Sequence, residues 1–84
     1  MQTAFALFAR FESPTVKLED ICAEFFGMDK DKAYQNASLN NLPVPTFRAG
    51  SQKSPRLIHV DDLAKWLDEQ RSAATAEWER SKAA

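Results

Sequence analysis

The chain has 84 residues, 44% hydrophobic and 27% charged, a balance that makes one small globular domain and argues against wholesale disorder. No apolar run approaches the roughly 20 residues that span a bilayer, and the opening MQTAFALFARFE lacks the basic start and small-residue cleavage site of a secretory leader. A single cysteine, Cys22, excludes an internal disulfide and fits a reducing cytoplasm.

Residues 3–11 (TAFALFARF) fit two periods. Phe5, Leu7, Ala9 and Phe11 alternate as in a strand, whereas Ala4, Leu7, Phe8 and Phe11 fall on one side of a helix. Frequent alanine and scarce β-branched residues favour the helix. Glu12-Ser13-Pro14 breaks it, and Thr15-Val16 suits a short strand.

A first well-marked helix runs from about Leu18 to Phe26, because Leu18, Ile21, Cys22, Phe25 and Phe26 make one apolar stripe. Glu19 and Asp20 lie in its first turn, where the helix dipole favours negative charge. Gly27 stops it, Asp29 is placed to cap the next helix, and the three-residue gap is the turn length of a helix-turn-helix.

The second helix covers about Lys30 to Leu39, with small Ala33 and Ala37 facing inward. Asn40-Asn41 ends it, and Pro43 and Pro45 set an extended exit. Residues 44–60 read as a hairpin, with Thr46-Phe47-Arg48 opposite Leu57-Ile58-His59-Val60 and a tip of turn formers from Ala49 to Pro55. His59 alternates with Ile58 and Val60, which places it on the surface or at the base of the hairpin. Asp61 is positioned to cap a third helix from Asp62 to about Ala74 or beyond, with Leu63, Trp66, Leu67 and Gln70 inward. Residues 1–71 form the domain. Residues 72–84 are an alanine- and charge-rich helical tail, either frayed or in contact with a neighbour through Trp78. The fold class is mainly α with a small β-hairpin, a winged helix-turn-helix.

Catalysis finds no support in these residues. One Cys and one His match no zinc spacing, and Cys22 sits in an apolar stripe as a small core residue. No glycine-rich phosphate loop or Ser/His/Asp arrangement is present, so neither enzymatic activity nor a cofactor is expected.

The net charge of −1 argues against nucleic acid until its distribution is considered. From Lys30 to Val60, Lys30, Lys32, Arg48, Lys53 and Arg56 face Asp31 alone, a local balance of +4 that leaves −5 elsewhere. Such segregation makes one face attractive to phosphate. On the second helix, Lys32, Gln35 and Asn36 point away from Ala33 and Ala37. Amide side chains read adenine edges bidentately, and Lys30 and Lys32 at the helix start suit phosphates. Tyr34 either packs inward or lies against the sugar-phosphate backbone. Arg48, Lys53 and Arg56 flank the hairpin and suit a minor groove or the adjoining backbone. About four neutralised phosphates correspond to a log-log salt slope near −3.6, a modest term that implies cooperative or oligomeric binding.

The segments TAFALFARF, LEDICAEFFGM, KAYQNASLNNLPVPTFR, SQKS and HVDDLAKWLDEQR, in that order, resemble the pyocin activator (PrtN) family over about residues 2–71. That family is bacterial and associated with phages and mobile elements, and it groups with excisionase-like and MerR-like winged helices. The resemblance implies double-stranded DNA as partner, contacted through Lys32, Tyr34, Gln35, Asn36, Arg48, Gln52, Lys53 and Arg56. Gln35 departs from the family, where a basic residue is more usual, so the target sequence does not carry over. Two outputs share the scaffold: an excisionase that binds cooperatively and bends attachment-site DNA for an integrase, and a transcriptional activator working with RNA polymerase. Small size, weak single-copy electrostatics and the spare tail favour the excisionase. A protein antagonist using the apolar N-terminus and Trp78 is the third option.

Overall fold

A computed structural model describes residues 2–83. In chain order the elements are α1 (Gln2–Phe11), β1 (Thr15–Lys17), α2 (Leu18–Ile21) continuing into a π-helical turn (Cys22–Phe26), α3 (Lys30–Ser38), β2 (Phe47–Arg48), β3 (Arg56–His59) and α4 (Val60–Ala83). The arrangement is a winged helix-turn-helix with one helix added in front.

The N-terminal segment is helical. Leu7 is buried, with Ala4 and Phe11 packed beside it, and Thr3 Oγ1 donates to Asp68 Oδ1 of α4 at 2.7 Å. Glu12 adopts a left-handed conformation (φ 54°) and donates its N–H to Phe8 O at 2.7 Å, which ends α1. The chain then enters β1.

β1 does more than lead into α2. It pairs antiparallel with β3 (Val16 opposite Ile58), and β3 also pairs with β2 (Phe47 opposite Leu57), giving a three-stranded sheet of order β1-β3-β2. The wing is thereby tied to the segment before the helix-turn-helix. Leu18, Ile21, Ile58 and Leu63 are the largest fully buried side chains, and they join α2, the sheet and α4 in one core. Each is worth about 1.5–3 kcal/mol in burial alone.

The stripe Leu18, Ile21, Cys22 is buried as its spacing requires, but the helix widens at Cys22, whose carbonyl accepts the N–H groups of both Gly27 and Met28. The widened turn brings Phe26 edge-on to Trp66 with ring centroids 5.1 Å apart. Gly27 is left-handed (φ 65°), where a side chain would be strained. Nearby, Arg10 donates to both carboxylate oxygens of Glu24, at 2.7 and 2.5 Å, with its guanidinium over the rings of Phe11 and Phe25. These hydrogen bonds hold the Glu24 carboxyl below its usual range and raise the Arg10 guanidinium.

α4 begins at Val60, one residue before the expected cap. Asp61 is inside the helix, and His59 takes the capping role, its Nδ1 accepting the Asp61 N–H at 3.0 Å. Val60 N–H goes to Pro14 O at 2.9 Å. Of the two extents open to it, about Ala74 or beyond, the helix takes the longer and continues through the tail to Ala83. Leu63 faces the core, Trp66 and Leu67 are half-buried, and Gln70 is exposed rather than inward.

Candidate nucleic-acid interface

The surface begins at Asp29, whose side chain accepts the Lys32 N–H at 2.8 Å and satisfies a free amide of the first turn of α3. Ala33 and Ala37 are buried, so helical spacing sends Lys32 and Gln35 outward, and both are exposed. Lys30 is also exposed, its Nζ 3.9 Å from Glu19 Oε2, a loose surface pair that a phosphate could displace.

Asn36 is less available than its spacing suggests. It is half-buried, with its side-chain Nδ2 donating to Met28 Sδ at 3.6 Å, while its backbone carbonyl accepts the Asn41 N–H at 2.8 Å. Gln35 is therefore the exposed amide side chain of α3.

Tyr34 turns inward. Its hydroxyl accepts the backbone N–H of Arg56 at 3.3 Å and donates to Glu19 Oε1 at 3.2 Å. The Arg48 guanidinium lies 5.9 Å from its ring centroid. One side chain thus fastens α3 to α2 and to the root of the wing, so helix and wing form one unit. Of the two placements open to Tyr34, the structure has the inward one, with the hydroxyl hydrogen-bonded to α2 and to the root of the wing.

In the wing, Arg48 Nη1 donates to the carbonyls of both Gln52 and Ser54, the latter at 3.0 Å. It braces the hairpin from within. Ser54 N–H to Ser51 O at 3.0 Å closes the tip turn, and Gly50 supplies the positive φ of 116°. Arg56 is half-buried, with Nη1 donating to Thr46 Oγ1 at 3.1 Å and Nε buried without a partner among the described residues. Arg48, Gln52 and Arg56 line a shallow cleft of about 450 Å³.

Lys53 and Gln52 are exposed at the tip. The nine residues singled out in the sequence thus divide. Lys30, Lys32, Gln35, Gln52 and Lys53 are presented to solvent, whereas Tyr34, Asn36, Arg48 and Arg56 shape and support that surface. Among the described residues neither Lys32 nor Lys53 has an ion-pair partner. Sequence reasoning missed Glu19 as the anchor of both Tyr34 and Lys30, since its place in a first helical turn gives it a sufficient local role.

The arrangement is a helix with an outward lysine and glutamine, a basic hairpin beside it, and a tyrosine locking the two together. The family model for pyocin activator protein PrtN matches residues 3–74, most of the chain. The chain belongs to that family. The match covers nearly all of α1 and extends into α4 as far as residue 74. No curated protein and no solved structure gives a significant match. No helix among the described residues is long and apolar enough to cross a membrane.

Proposed function

We propose that this protein is a cytoplasmic transcriptional activator that binds double-stranded DNA, without catalysis or cofactor, near promoters of a pyocin-type gene cluster. The observation carrying this reading is the unit of α3 and wing, with Lys32, Gln35 and Lys53 exposed on it, in a chain of the pyocin activator family. Gln35 reads a base edge in the major groove. Lys30, Lys32 and Lys53 contact phosphates. Family membership reverses the order favoured by size and charge alone: activation comes before excision, and RNA polymerase before an integrase.

A nuclease footprint with salt and protein titrated, paired with in vitro transcription, tests this. One compact protected site upstream of a promoter, with transcript raised, supports the activator. A phased ladder over an attachment site, with hypersensitive bands between protected steps, would replace it with the excisionase. No footprint at any salt would leave the protein antagonist. Gln35→Ala is expected to cost about 1–3 kcal/mol of discrimination at one base pair while leaving non-specific binding unchanged.

A further inference from the structure

The outer part of α4 runs beyond the core, and Asp68 at its start is tied to α1 by the Thr3 hydrogen bond. Residues 68–82 are exposed, although the helix continues unbroken to Ala83. Isolated helices of this length are marginal in water, so a partner for this segment would add stability the domain does not supply.

The face available to that partner is defined by spacing. Val60, Leu63, Ala64 and Leu67 pack on the core, and the same stripe continues beyond it as Arg71, Ala74 and Trp78. Trp78 is 60% exposed even though Lys82 Nζ lies 4.5 Å from its ring centroid, so one ring face remains open. Small Ala74 lies between Arg71 and Trp78 and allows close approach of another helix. Asp68 and Lys82 occupy the same flank of this face, 14 residues apart, near its opposite ends.

We infer that the occupant is the same segment of a second copy, running antiparallel and centred near Ala74 and Thr75. The pattern is self-complementary in that direction. Asp68 of each copy then lies beside Lys82 of the other, and each Arg71 beside the other's Trp78, an aromatic face that suits a guanidinium. In a parallel pair opposite flanks meet, so Lys82 would face Glu77 of the other copy and Asp68 would face no cation. The isologous contact closes on itself and makes a dimer, not a filament. A four-turn helix about 22 Å long and 10 Å wide offers a footprint of only a few hundred Å², well under the roughly 800 Å² per side of a standard interface. The pairing is therefore weak in free solution and becomes strong when two copies already sit on one DNA. It needs no DNA to form, so it stands apart from the functional reading above and is tested without it.

The test is disulfide capture between full-length variants that each carry one introduced cysteine, Asp68→Cys mixed with Lys82→Cys, under mild oxidant; the native Cys22 is buried and stays silent. The mixed dimer is expected to exceed either homodimer at least fivefold, and adding Trp78→Ala to both chains should reduce capture about tenfold. Homodimers of Asp68→Cys in excess would overturn the antiparallel pairing, as would no capture at hundreds of micromolar protein. Sedimentation supplies a second readout. Self-association that survives Trp78→Ala but is lost in Phe5→Ser would overturn the proposal and place the contact on α1, where Phe5 is 75% exposed.

Discussion

Replacing Tyr34 with phenylalanine removes one oxygen atom from behind the interface and separates support from contact. The hydroxyl makes two hydrogen bonds, at 3.3 Å from the Arg56 N–H and 3.2 Å to Glu19 Oε1. The Glu19 bond is exposed and contributes little. The Arg56 amide is half-buried and loses its acceptor, which costs about 1–2 kcal/mol. For a domain of 60–100 residues, each kcal/mol lowers Tm by about 4–8 °C, so a drop of about 5–15 °C is expected. Thermal melting followed by circular dichroism measures it. DNA affinity should then be compared well below both transitions, where it is expected to change less than threefold, because the hydroxyl does not reach the DNA. An unchanged Tm with a tenfold loss of affinity would refute the reasoning and return Tyr34 to the contact surface.

Three further outcomes follow from the same geometry. Asp29→Ala removes the acceptor for the Lys32 amide and should cost about 1 kcal/mol, read as a lower urea midpoint with the m-value unchanged. Lys32→Ala and Lys53→Ala should each weaken binding similarly on all sequences and reduce the magnitude of the log-log salt slope by about 0.9, measured by anisotropy titrations from 50 to 200 mM salt. The Glu24 carboxyl is held below its unfolded value by Arg10, so its contribution to stability is complete above the unfolded carboxyl range and is lost as pH falls through the lowered folded value. Tm of the native chain should therefore fall more steeply than that of Glu24→Gln in this acid range, by a small margin because the pair is exposed.

The elements that could be read from the chain are those whose evidence is local. The Leu18–Phe26 stripe, the stop at Gly27, the Asp29 cap and the turn-rich wing tip each need only a few neighbouring residues, and each lies where the structure has it. The exposed residues of the candidate surface were legible for the same reason: with Ala33 and Ala37 inward, helical geometry leaves Lys32 and Gln35 outside. What escaped depends on distant partners. An apolar stripe does not distinguish i→i−4 from i→i−5 bonding, so the widened turn at Cys22 leaves no mark on it. Nothing within Thr15–Lys17 announces that it will pair with Leu57–His59, about 40 residues away. Arg48 and Arg56 look like surface cations until the carbonyls of Gln52 and Ser54 and the hydroxyl of Thr46 are found around them. The start of α4 was misplaced by two residues because His59 can cap as Asp61 can, and β3 runs on until Val60 donates to Pro14.

That junction has a mechanical consequence. β3 ends at His59 and α4 starts at Val60, so no flexible linker separates the wing strand from a helix of 24 residues. Such a helix is about 36 Å long, close to the 34–36 Å of one DNA turn. It works as a ruler with an angular scale: each residue inserted into it advances its end by about 1.5 Å and swings it by about 100°. One extra alanine after Ser72 would turn the Trp78 face to the wrong side without altering the charge or the unit of α3 and wing. A second insertion of three more, making four, would bring that face nearly back into phase at a cost of about 6 Å in length. Whatever meets the far end of α4 is thus held in a fixed rotational phase to the wing.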